Sequence, residues 1–333
     1  MTHRAFISAV GHYVPERIVT NSELSKLMTT SDEWIQTRSG IKERRFAADH
    51  EAPSDLGVHA ALNAAKQART GLNDVDAIIC ASLSPEHYFP GTSSFIQSKL
   101  GLVGVPSFDL RAQCSGFIYG LSVANAMVTS GEFKKVLLIG VEVHSRGLDF
   151  TDRGRDCAVL FGDGAGAVII ESCPSPEHGF LKTKISADGR FADKLWVEFP
   201  TMKRTPIMTQ SDLEAGGLHP KMDGKFVFKT AVEKLPQVID STLSSINLQT
   251  KDIDLFLFHQ ANLRINEFVA ATMNLDKAKI PSNIEKYGNC SAASIPILLS
   301  EQMQLGTVKR GDLICIAGFG SGFTWGCSVI RWF

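Results

Sequence analysis

The chain has 333 residues, enough for one large domain or two of ordinary size. Its 34 lysines and arginines nearly balance 35 aspartates and glutamates, so no overall charge favours nucleic acid or an anionic membrane surface. No apolar run reaches the roughly 18 residues that span a bilayer. The seven cysteines include no C-x-x-C pair and the first residues lack a long apolar segment. We therefore expect a cytoplasmic protein with reduced thiols and no metal site.

The first candidate binding element is the segment 29–45. Ser31 or Asp32 supplies a helix cap just before Trp34. Trp34 and Arg38 are four residues apart, which places them on one face of the predicted helix. An indole beside guanidinium groups suits the base and phosphates of a nucleotide-like ligand. An ordinary solvated helix with one half-buried tryptophan explains the pattern equally well.

The next elements lead to a candidate nucleophile. Residues 54–69 have the period of an amphipathic helix, and 75–82 read as a buried strand. Cys114 falls where another short strand passes into the apolar helix 116–128. The start of a helix favours a negative charge, so a thiol there is biased toward the nucleophilic thiolate. The alternative is a buried structural cysteine.

Four elements of the first half recur in the same order in the second half. The matched segments are 74–80 with 252–258, 114–115 with 290–291, 133–140 with 311–318, and 161–164 with 319–322. We therefore predict a duplicated α/β unit, with an N-terminal half (1–174) and a C-terminal half (175–333). The repeat also favours reading the glycine-rich segment 161–166 as a tight turn between strands, with a dinucleotide-binding loop as the minor alternative.

Two further polar residues take positions that the repeat makes informative. His259 follows the buried strand 252–258, at the end where α/β proteins build their sites. Asn289 precedes the helix that repeats the one after Cys114. Under pseudo-twofold symmetry the two helix starts face each other, so we expect Cys114, His259 and Asn289 to converge between the halves.

Together these motifs resemble the β-ketoacyl-acyl-carrier-protein synthase III family, decarboxylating condensing enzymes of the thiolase fold. The resemblance runs from end to end and is carried by the segments 30–41, 113–117, 151–153, 161–166, 259–262, 287–289 and 319–326. It implies an α/β, thiolase-like five-layer αβαβα fold built from two duplicated halves related by a pseudo-twofold axis.

The resemblance also implies a reaction. Cys114 would accept an acyl group from acyl-CoA, and the oxyanion formed would be held by the backbone N–H groups of Cys114 and Ser321. His259 and Asn289 would promote decarboxylation of malonyl-acyl-carrier protein, because a neutral imidazole N–H and an amide supply two donors to the enolate oxygen. The product would be 3-oxoacyl-carrier protein, which initiates fatty acid synthesis without a metal or other cofactor.

Binding residues carry over in the same way. The CoA-binding set comprises Thr30, Trp34, Arg38, Arg153, Gly154, Met222, Gly224, Ala261 and Asn262. The set that docks the acyl carrier protein comprises Lys225, Lys229 and Arg264. Phe89 matches an aromatic residue that crosses a dimer interface to cap the acyl pocket of the partner subunit, which implies a homodimer.

Some residues depart from the family pattern close to the chemistry. They are Gln113, Cys290 and Ser321, together with a long segment, 182–221, that we expect to be irregular. This segment offers apolar side chains as extra pocket lining, namely Leu195, Trp196, Met202 and Met208. Since each buried methylene contributes about 0.8 kcal/mol, we expect medium-chain acyl-CoA to be accepted at least as well as acetyl-CoA.

Three other functions compete with the condensing enzyme. The first is a specialised acyltransferase or starter-unit enzyme of a secondary-metabolite pathway. The second is a cysteine hydrolase, since papain-like proteases also use Cys, His and Asn, but the sequence signature around their cysteine is absent. The third is an inactive partner in a carrier-protein assembly, which the intact Cys114, His259 and Asn289 argue against.

Overall fold

The computed structural model describes residues 4–69 and 71–333. In these ranges the strands are β1 (Ala5–Tyr13), β2 (Arg17–Thr20), β3 (Glu43–Phe46), β4 (Ala77–Ala81), β5 (Ser107–Leu110), β6 (Lys135–Glu142), β7 (Gly164–Ser172), β8 (Gly179–Ala187), β9 (Leu195–Val197), β10 (Pro220–Met222), β11 (Leu255–Phe258), β12 (Leu313–Gly320) and β13 (Thr324–Arg331). The α-helices are α1 (Asn21–Leu24), α2 (Asp32–Ser39), α3 (Pro53–Ala68), α4 (Thr92–Lys99), α5 (Gly116–Thr129), α6 (Arg155–Ala158), α7 (Gln210–Glu214), α8 (Gly224–Ser244), α9 (Leu263–Thr272), α10 (Ile284–Tyr287) and α11 (Ser294–Gln304). None of the helices in the described ranges is long and apolar enough to cross a membrane.

Two sheets repeat one strand arrangement. The first has the order β1-β7-β6-β4-β5, and the second has the order β11-β12-β13-β8. In both, a parallel pair (β4 and β6, or β11 and β12) is followed by two antiparallel strands. Four strands of the first sheet, in the order β4-β6-β7-β1, therefore correspond to the four strands of the second sheet, in the order β11-β12-β13-β8. This correspondence is the predicted duplication. The predicted boundary between residues 174 and 175 falls in the connection from β7 to β8.

The helices complete a five-layer αβαβα architecture. Helices α5 and α11 pack between the sheets, in one core with residues of β1, β4, β6 and β7 on one side and of β8, β11, β12 and β13 on the other. Helix α5 carries no charged residue, because both of its faces are covered. Helices α3 and α4 cover the outer face of the first sheet, and α8 and α9 cover that of the second. Each central helix therefore begins between the two sheets, where the predicted site residues lie.

The segment 182–221 is only partly as predicted. Residues 182–187 belong to β8, which pairs with β13 in the second sheet, so the expectation of an irregular segment is wrong for them. The sequence hides this strand because it lies at the edge of the sheet, and most of its side chains are partly or fully exposed. The remainder forms the short hairpin of β9 and β10 and the single-turn helix α7.

Candidate active site

Cys114 lies on a tight turn between β5 and α5, as predicted from the sequence. The turn is a short 3₁₀ segment, Gln113–Ser115, and begins with Gln113 at φ 44°. The Ser115 hydroxyl donates to the Thr324 carbonyl at 2.9 Å, which ties the turn to β13. A side chain at Gly320 would place its Cβ 2.8 Å from the Cβ of Cys114. Glycine at the end of β12 therefore allows the two halves to meet at Cys114, the candidate nucleophile.

Burial controls the ionisation of Cys114. The side chain is 5% exposed, and loss of solvation raises its pKa to about 11. Three hydrogen bonds lower the pKa of Cys114 and so partly oppose this rise. They come from the Ser291 hydroxyl, which donates to Cys114 Sγ at 3.4 Å, and from the backbone N–H groups of Cys114 and Ser321. The resting group is therefore a thiol, and the expected bias toward thiolate is wrong for this state. Both predicted oxyanion donors nevertheless lie at the reactive sulfur.

His259 follows β11 and is held in its neutral form. Its side chain is 4% exposed, and burial lowers its pKa to about 3. Nδ1 lies 2.6 Å from the hydroxyl of Ser294, the first residue of α11. That hydroxyl also donates to the Ser291 carbonyl at 3.0 Å. Nε2 is buried without a hydrogen-bond partner among the described residues, so it is free to act on a substrate or on the thiol.

Asn289 presents its amide with a fixed orientation. The Ser291 backbone N–H donates to Oδ1 at 2.8 Å, so Nδ2 keeps its donors for another group. The Asn289 backbone donates to the Leu160 carbonyl at 2.8 Å and accepts from the Gly162 N–H at 3.1 Å. These bonds fasten the start of the second-half turn to a loop of the first half, beside Phe161.

A single cavity of about 640 Å³ joins the three residues to the predicted entrance. It is lined by Cys114, His259 and Asn289, and by the predicted binding residues Trp34, Arg38, Met222, Gly224, Lys225, Ala261, Asn262 and Arg264. Leu195 lines it as well, whereas Met202 is 69% exposed and belongs to the outer surface. Six of the predicted site residues do not line this cavity, namely Thr30, Phe89, Arg153, Gly154, Lys229 and Ser321.

The two predicted binding arginines, Arg38 and Arg153, have different partners in the structure. Arg153 donates to Asp149 at 2.6 Å and to the Glu214 carbonyl at 2.7 Å. Arg38 and Arg155 instead lie over the indole of Trp34, with 4.5 and 5.0 Å between guanidinium and ring centroid. Arg155 is therefore a candidate ligand residue that sequence reasoning missed, although it stands only two positions after Arg153.

Two polar contacts arrange the rest of the binding set. Asn262 caps α9 by accepting from the Arg264 N–H, and its Nδ2 donates to the Arg38 carbonyl at 3.0 Å. Lys229 is exposed on α8, one turn after Lys225, and Arg264 stacks beside Phe228 of the same helix. The Thr30 hydroxyl is buried without a partner among the described residues. Of the three predicted docking cations, Lys225 and Arg264 line the cavity, and Lys229 lies one turn of α8 away from Lys225.

A buried carboxyl group supports the site from the first sheet. Glu142, the last residue of β6, accepts hydrogen bonds from Ser84 at 2.6 Å, from the Leu83 N–H at 3.1 Å and from the Ala292 backbone. Burial raises its pKa to about 7. Since Ala292 lies in the turn between Asn289 and α11, Glu142 helps to fix the position of Asn289. Sequence reasoning missed this residue, together with Ser291 and Ser294.

The described residues contain no group of three or more His, Cys, Asp or Glu side chains arranged to hold a metal ion. The donors that converge in the cavity are instead a thiol, a neutral imidazole, an amide and two backbone N–H groups. Such a set suits acyl transfer and stabilisation of an enolate or oxyanion.

Comparison with known proteins places the chain in one family. Residues 108–189 match the model of 3-oxoacyl-[acyl-carrier-protein] synthase III, and residues 243–332 match that of its C-terminal part. The chain is 44% identical over 332 residues to beta-ketoacyl-[acyl-carrier-protein] synthase III of Clostridioides difficile (strain 630), covering 100% of this chain and 99% of that protein.

Solved structures give the same result for the fold. The crystal structure of 3-oxoacyl-[acyl-carrier-protein] synthase III from Aquifex aeolicus VF5 superposes with a TM-score of 0.90 at 39% identity, covering 98% of this chain and 100% of that one. The priming beta-ketosynthase of the R1128 polyketide biosynthetic pathway superposes with a TM-score of 0.89 at 29% identity, covering 98% and 96%.

Proposed function

The chain belongs to the 3-oxoacyl-[acyl-carrier-protein] synthase III family, and we propose that it transfers an acyl group from acyl-CoA to Cys114 and condenses it with malonyl-acyl-carrier protein. CO2 is lost and 3-oxoacyl-carrier protein is formed, the first condensation of fatty acid synthesis. The observation that carries this proposal is the meeting of Cys114, His259 and Asn289 in one cavity. No cofactor is assigned beyond the two thioester substrates.

The first half-reaction needs a proton acceptor, because the pKa of Cys114 is about 11. The Ser294 hydroxyl proton can point either to the Ser291 carbonyl or to Nδ1 of His259. When that proton points to the Ser291 carbonyl, Nδ1 of His259 is protonated and Nε2 has a lone pair. Because burial disfavours both the thiolate and the imidazolium, Nε2 takes the thiol proton in the same step as the sulfur attacks, without a preformed ion pair. The sulfur attacks the thioester carbonyl, the backbone N–H groups of Cys114 and Ser321 hold the oxyanion, and the departing CoA thiolate receives the proton.

The second half-reaction uses the other tautomer. With the Ser294 hydroxyl donating to Nδ1, His259 carries its proton on Nε2. That N–H and Asn289 Nδ2 then donate to the thioester carbonyl oxygen of the malonyl group. At the same time the bond from the malonyl carboxylate to the neighbouring carbon breaks, and CO2 leaves. The bonding pair remains as an enolate, which attacks the acyl group on Cys114. The cysteine sulfur departs and takes one proton from solvent, which returns Cys114 to its resting thiol. Two neutral donors stabilise the developing charge, and losing one donor of this kind typically costs 10²–10³ in rate.

Substrate binding follows from the cavity mouth. We assign the CoA nucleotide to the surface formed by Trp34 with Arg38 and Arg155, since guanidinium groups suit phosphates and an indole suits a base. Ala261 and Asn262 line the path inward, where the pantetheine arm would lie. Lys225, Lys229 and Arg264 offer a positive surface for an acidic carrier protein.

We also propose a homodimer of cytoplasmic subunits. Phe89 is 80% exposed and its neighbour Tyr88 is also exposed, a costly arrangement unless another surface covers them. A second copy of the chain would bury both aromatic rings and bring Phe89 to the acyl pocket of the partner subunit. The cytoplasmic location is supported by seven free cysteines, of which Cys114 must stay reduced to act as a nucleophile.

A starter-unit enzyme of a secondary pathway is the second candidate function, supported by the similarity to the R1128 priming ketosynthase. The two functions share the chemistry and differ in the acyl group. Chain length is therefore measured directly, as kcat/KM for acetyl-, butyryl- and octanoyl-CoA. The apolar lining by Leu195, Val227 and Leu235 supports the medium-chain proposal, and a steep fall from two to eight carbons would refute it.

One assay tests the reaction itself. Purified protein is incubated with acyl-CoA and malonyl-carrier protein, and the mass of the protein, CO2, 3-oxoacyl product and free acid are followed. We expect one acyl group per chain, none on Cys114→Ser, and CO2 equal to product. In His259→Ala and Asn289→Ala the decarboxylation should fall at least about 100-fold. Free acid without 3-oxoacyl product would identify a hydrolase and overturn the proposal.

A further inference from the structure

Asn266 is a buried polar residue in the wall of the catalytic cavity, and none of the steps above uses it. The residue is 5% exposed and lines the cavity together with Cys114 and His259. It belongs to the first turn of α9 and follows Asn262 by four residues, so the two amides lie on one face of the helix start. Since a buried amide normally has a partner for each end, its hydrogen bonds indicate what it can bind.

The fold uses the nitrogen end of this amide. Nδ2 of Asn266 donates to the His259 carbonyl at 3.3 Å. Because a carbonyl only accepts hydrogen bonds, this contact distinguishes the nitrogen of the amide from its oxygen. The contact also holds the side chain against the backbone of the residue whose imidazole acts at the thioester in the proposed mechanism. The orientation of the amide is therefore fixed next to the reacting groups.

The oxygen end is available to a ligand. None of the described residues donates a hydrogen bond to Oδ1 of Asn266. Oδ1 is also not one of the unpaired side-chain atoms of the described residues that are sealed from solvent. Since the residue is buried apart from the cavity that it lines, the open space beside Oδ1 is the cavity itself. The wall thus presents an acceptor that needs a donor from a bound molecule.

The neighbouring asparagine has both ends of its amide engaged. Oδ1 of Asn262 accepts from the Arg264 N–H at 3.0 Å, and its Nδ2 donates to the Arg38 carbonyl at 3.0 Å. Of the two amides on this face of α9, only that of Asn266 has an end without a partner among the described residues. A polar contact with the arm of a thioester substrate therefore falls to Asn266.

We propose, building on the function proposed above, that Oδ1 of Asn266 accepts a hydrogen bond from the substrate amide that is nearest to the thioester sulfur. The nitrogen of that amide is two carbons away from the sulfur, so it is the donor of the pantetheine arm closest to His259. The arm is common to acyl-CoA and to malonyl-carrier protein. Asn266 therefore serves both half-reactions, whereas Arg155 and Lys229 are each assigned to one substrate.

The test compares two small thioesters that differ only at this donor. They are S-butyryl-N-acetylcysteamine and S-butyryl-2-acetoxyethanethiol, in which an oxygen replaces the N–H, and acylation of Cys114 is followed by mass spectrometry. In the wild-type protein we expect the amide to exceed the ester by about tenfold in kcat/KM, since the ester leaves Oδ1 unpaired. Asn266→Leu should bring that ratio to about one. The loss of the bond to the His259 carbonyl slows both thioesters alike and cancels in the ratio.

Two further variants separate the contact from a structural effect. Asn266→Asp keeps an acceptor oxygen and should keep a preference for the amide. Asn283→Leu removes a buried asparagine that bonds to Glu301 at 2.7 Å and does not line the cavity, so it should leave the ratio unchanged. In Asn266→Leu the KM values for butyryl-CoA and for malonyl-carrier protein should rise together, because the arm is shared.

The contrary results are equally defined. A wild-type ratio near one overturns the inference without any variant, and so does an Asn266→Leu protein that slows both thioesters but keeps the wild-type ratio. Butyryl-CoA is assayed in parallel on the wild type. If it leaves Cys114 unmodified, the proposed function itself fails, and the inference fails with it. If it acylates Cys114 while the two small thioesters react equally, the function stands and only the contact with Asn266 is refuted.

Discussion

Replacing Ser294 by alanine isolates the control of His259 without touching a group that contacts substrate. The hydrogen bond between Ser294 Oγ and His259 Nδ1 is 2.6 Å long and buried. Its loss leaves a buried ring nitrogen unpaired, which costs about 1–3 kcal/mol and corresponds to roughly 5- to 150-fold in rate. The same change removes the hydroxyl proton that selects the tautomer, so we expect both half-reactions to slow by about 10- to 100-fold.

The assay measures the two half-reactions separately, as the rate of Cys114 acylation and as the rate of CO2 release from malonyl-carrier protein. Ser300→Ala is the matched control, because it removes a serine–histidine hydrogen bond of 2.8 Å from the same helix, α11, but at His12. We expect Ser300→Ala to affect the melting temperature and neither rate. If Ser294→Ala keeps both rates within twofold, or if the control loses as much activity, the tautomer argument is refuted.

Three other expectations concern binding and stability. Arg155→Ala should raise KM for acyl-CoA several-fold with little change in kcat, because it removes one of two guanidinium groups over Trp34; an unchanged KM would return the role to Arg153. Lys229→Glu should raise KM for malonyl-carrier protein and leave acylation by acyl-CoA nearly unchanged, and added salt should imitate the defect; equal loss for both substrates would contradict docking. Glu142 has a pKa raised from 4.5 to about 7, so its contribution to the free energy of unfolding is greatest below pH 4.5 and falls by about 3 kcal/mol as pH rises through 7. Denaturant titrations at pH 5 and 8 should show this fall in the wild type and a smaller one in Glu142→Gln, and parallel pH dependence in both would contradict it.

The meeting of Cys114, His259 and Asn289 in one cavity could be predicted from the sequence because the internal repeat fixes their places. Cys114 and Asn289 both precede a central helix, and His259 follows a buried strand, so their neighbourhood depends on element order alone. The supporting residues could not be located this way. In the sequence, Ser291 and Ser294 look like ordinary small residues at the start of a buried helix. Their roles arise from hydrogen bonds to distant residues: Ser291 bonds to Cys114, 177 residues away, and Ser294 bonds to His259, 35 residues away.

The partners of the arginines near Trp34 could not be predicted from the sequence for a related reason. A motif fixes which residues are near a ligand site, but the rotamer of a long side chain depends on the partners that the fold supplies. Arg153 is taken by Asp149, whose carboxyl group is buried and keeps a low pKa through bonds from Thr151 and Arg153. Arg155 has no buried carboxylate to hold it and stacks on Trp34 instead. The sequence shows that both arginines lie near Trp34 in the chain, and the partners that the fold supplies determine which of them contacts the indole.

Burial of the catalytic residues also separates this site from that of a cysteine hydrolase with the same three residue types. Papain-like enzymes rest as a thiolate–imidazolium pair, with a cysteine pKa of about 3–4. Here the environment shifts both groups toward their neutral forms, with a pKa of about 11 for Cys114 and about 3 for His259. A charged imidazolium would donate strongly but would also protonate the enolate, whereas a neutral Nε2–H stabilises it long enough to attack the acyl group. In the proposed mechanism, the burial that makes the first step depend on proton transfer to His259 would also protect the carbanion of the second step, which is what condensation requires and hydrolysis does not.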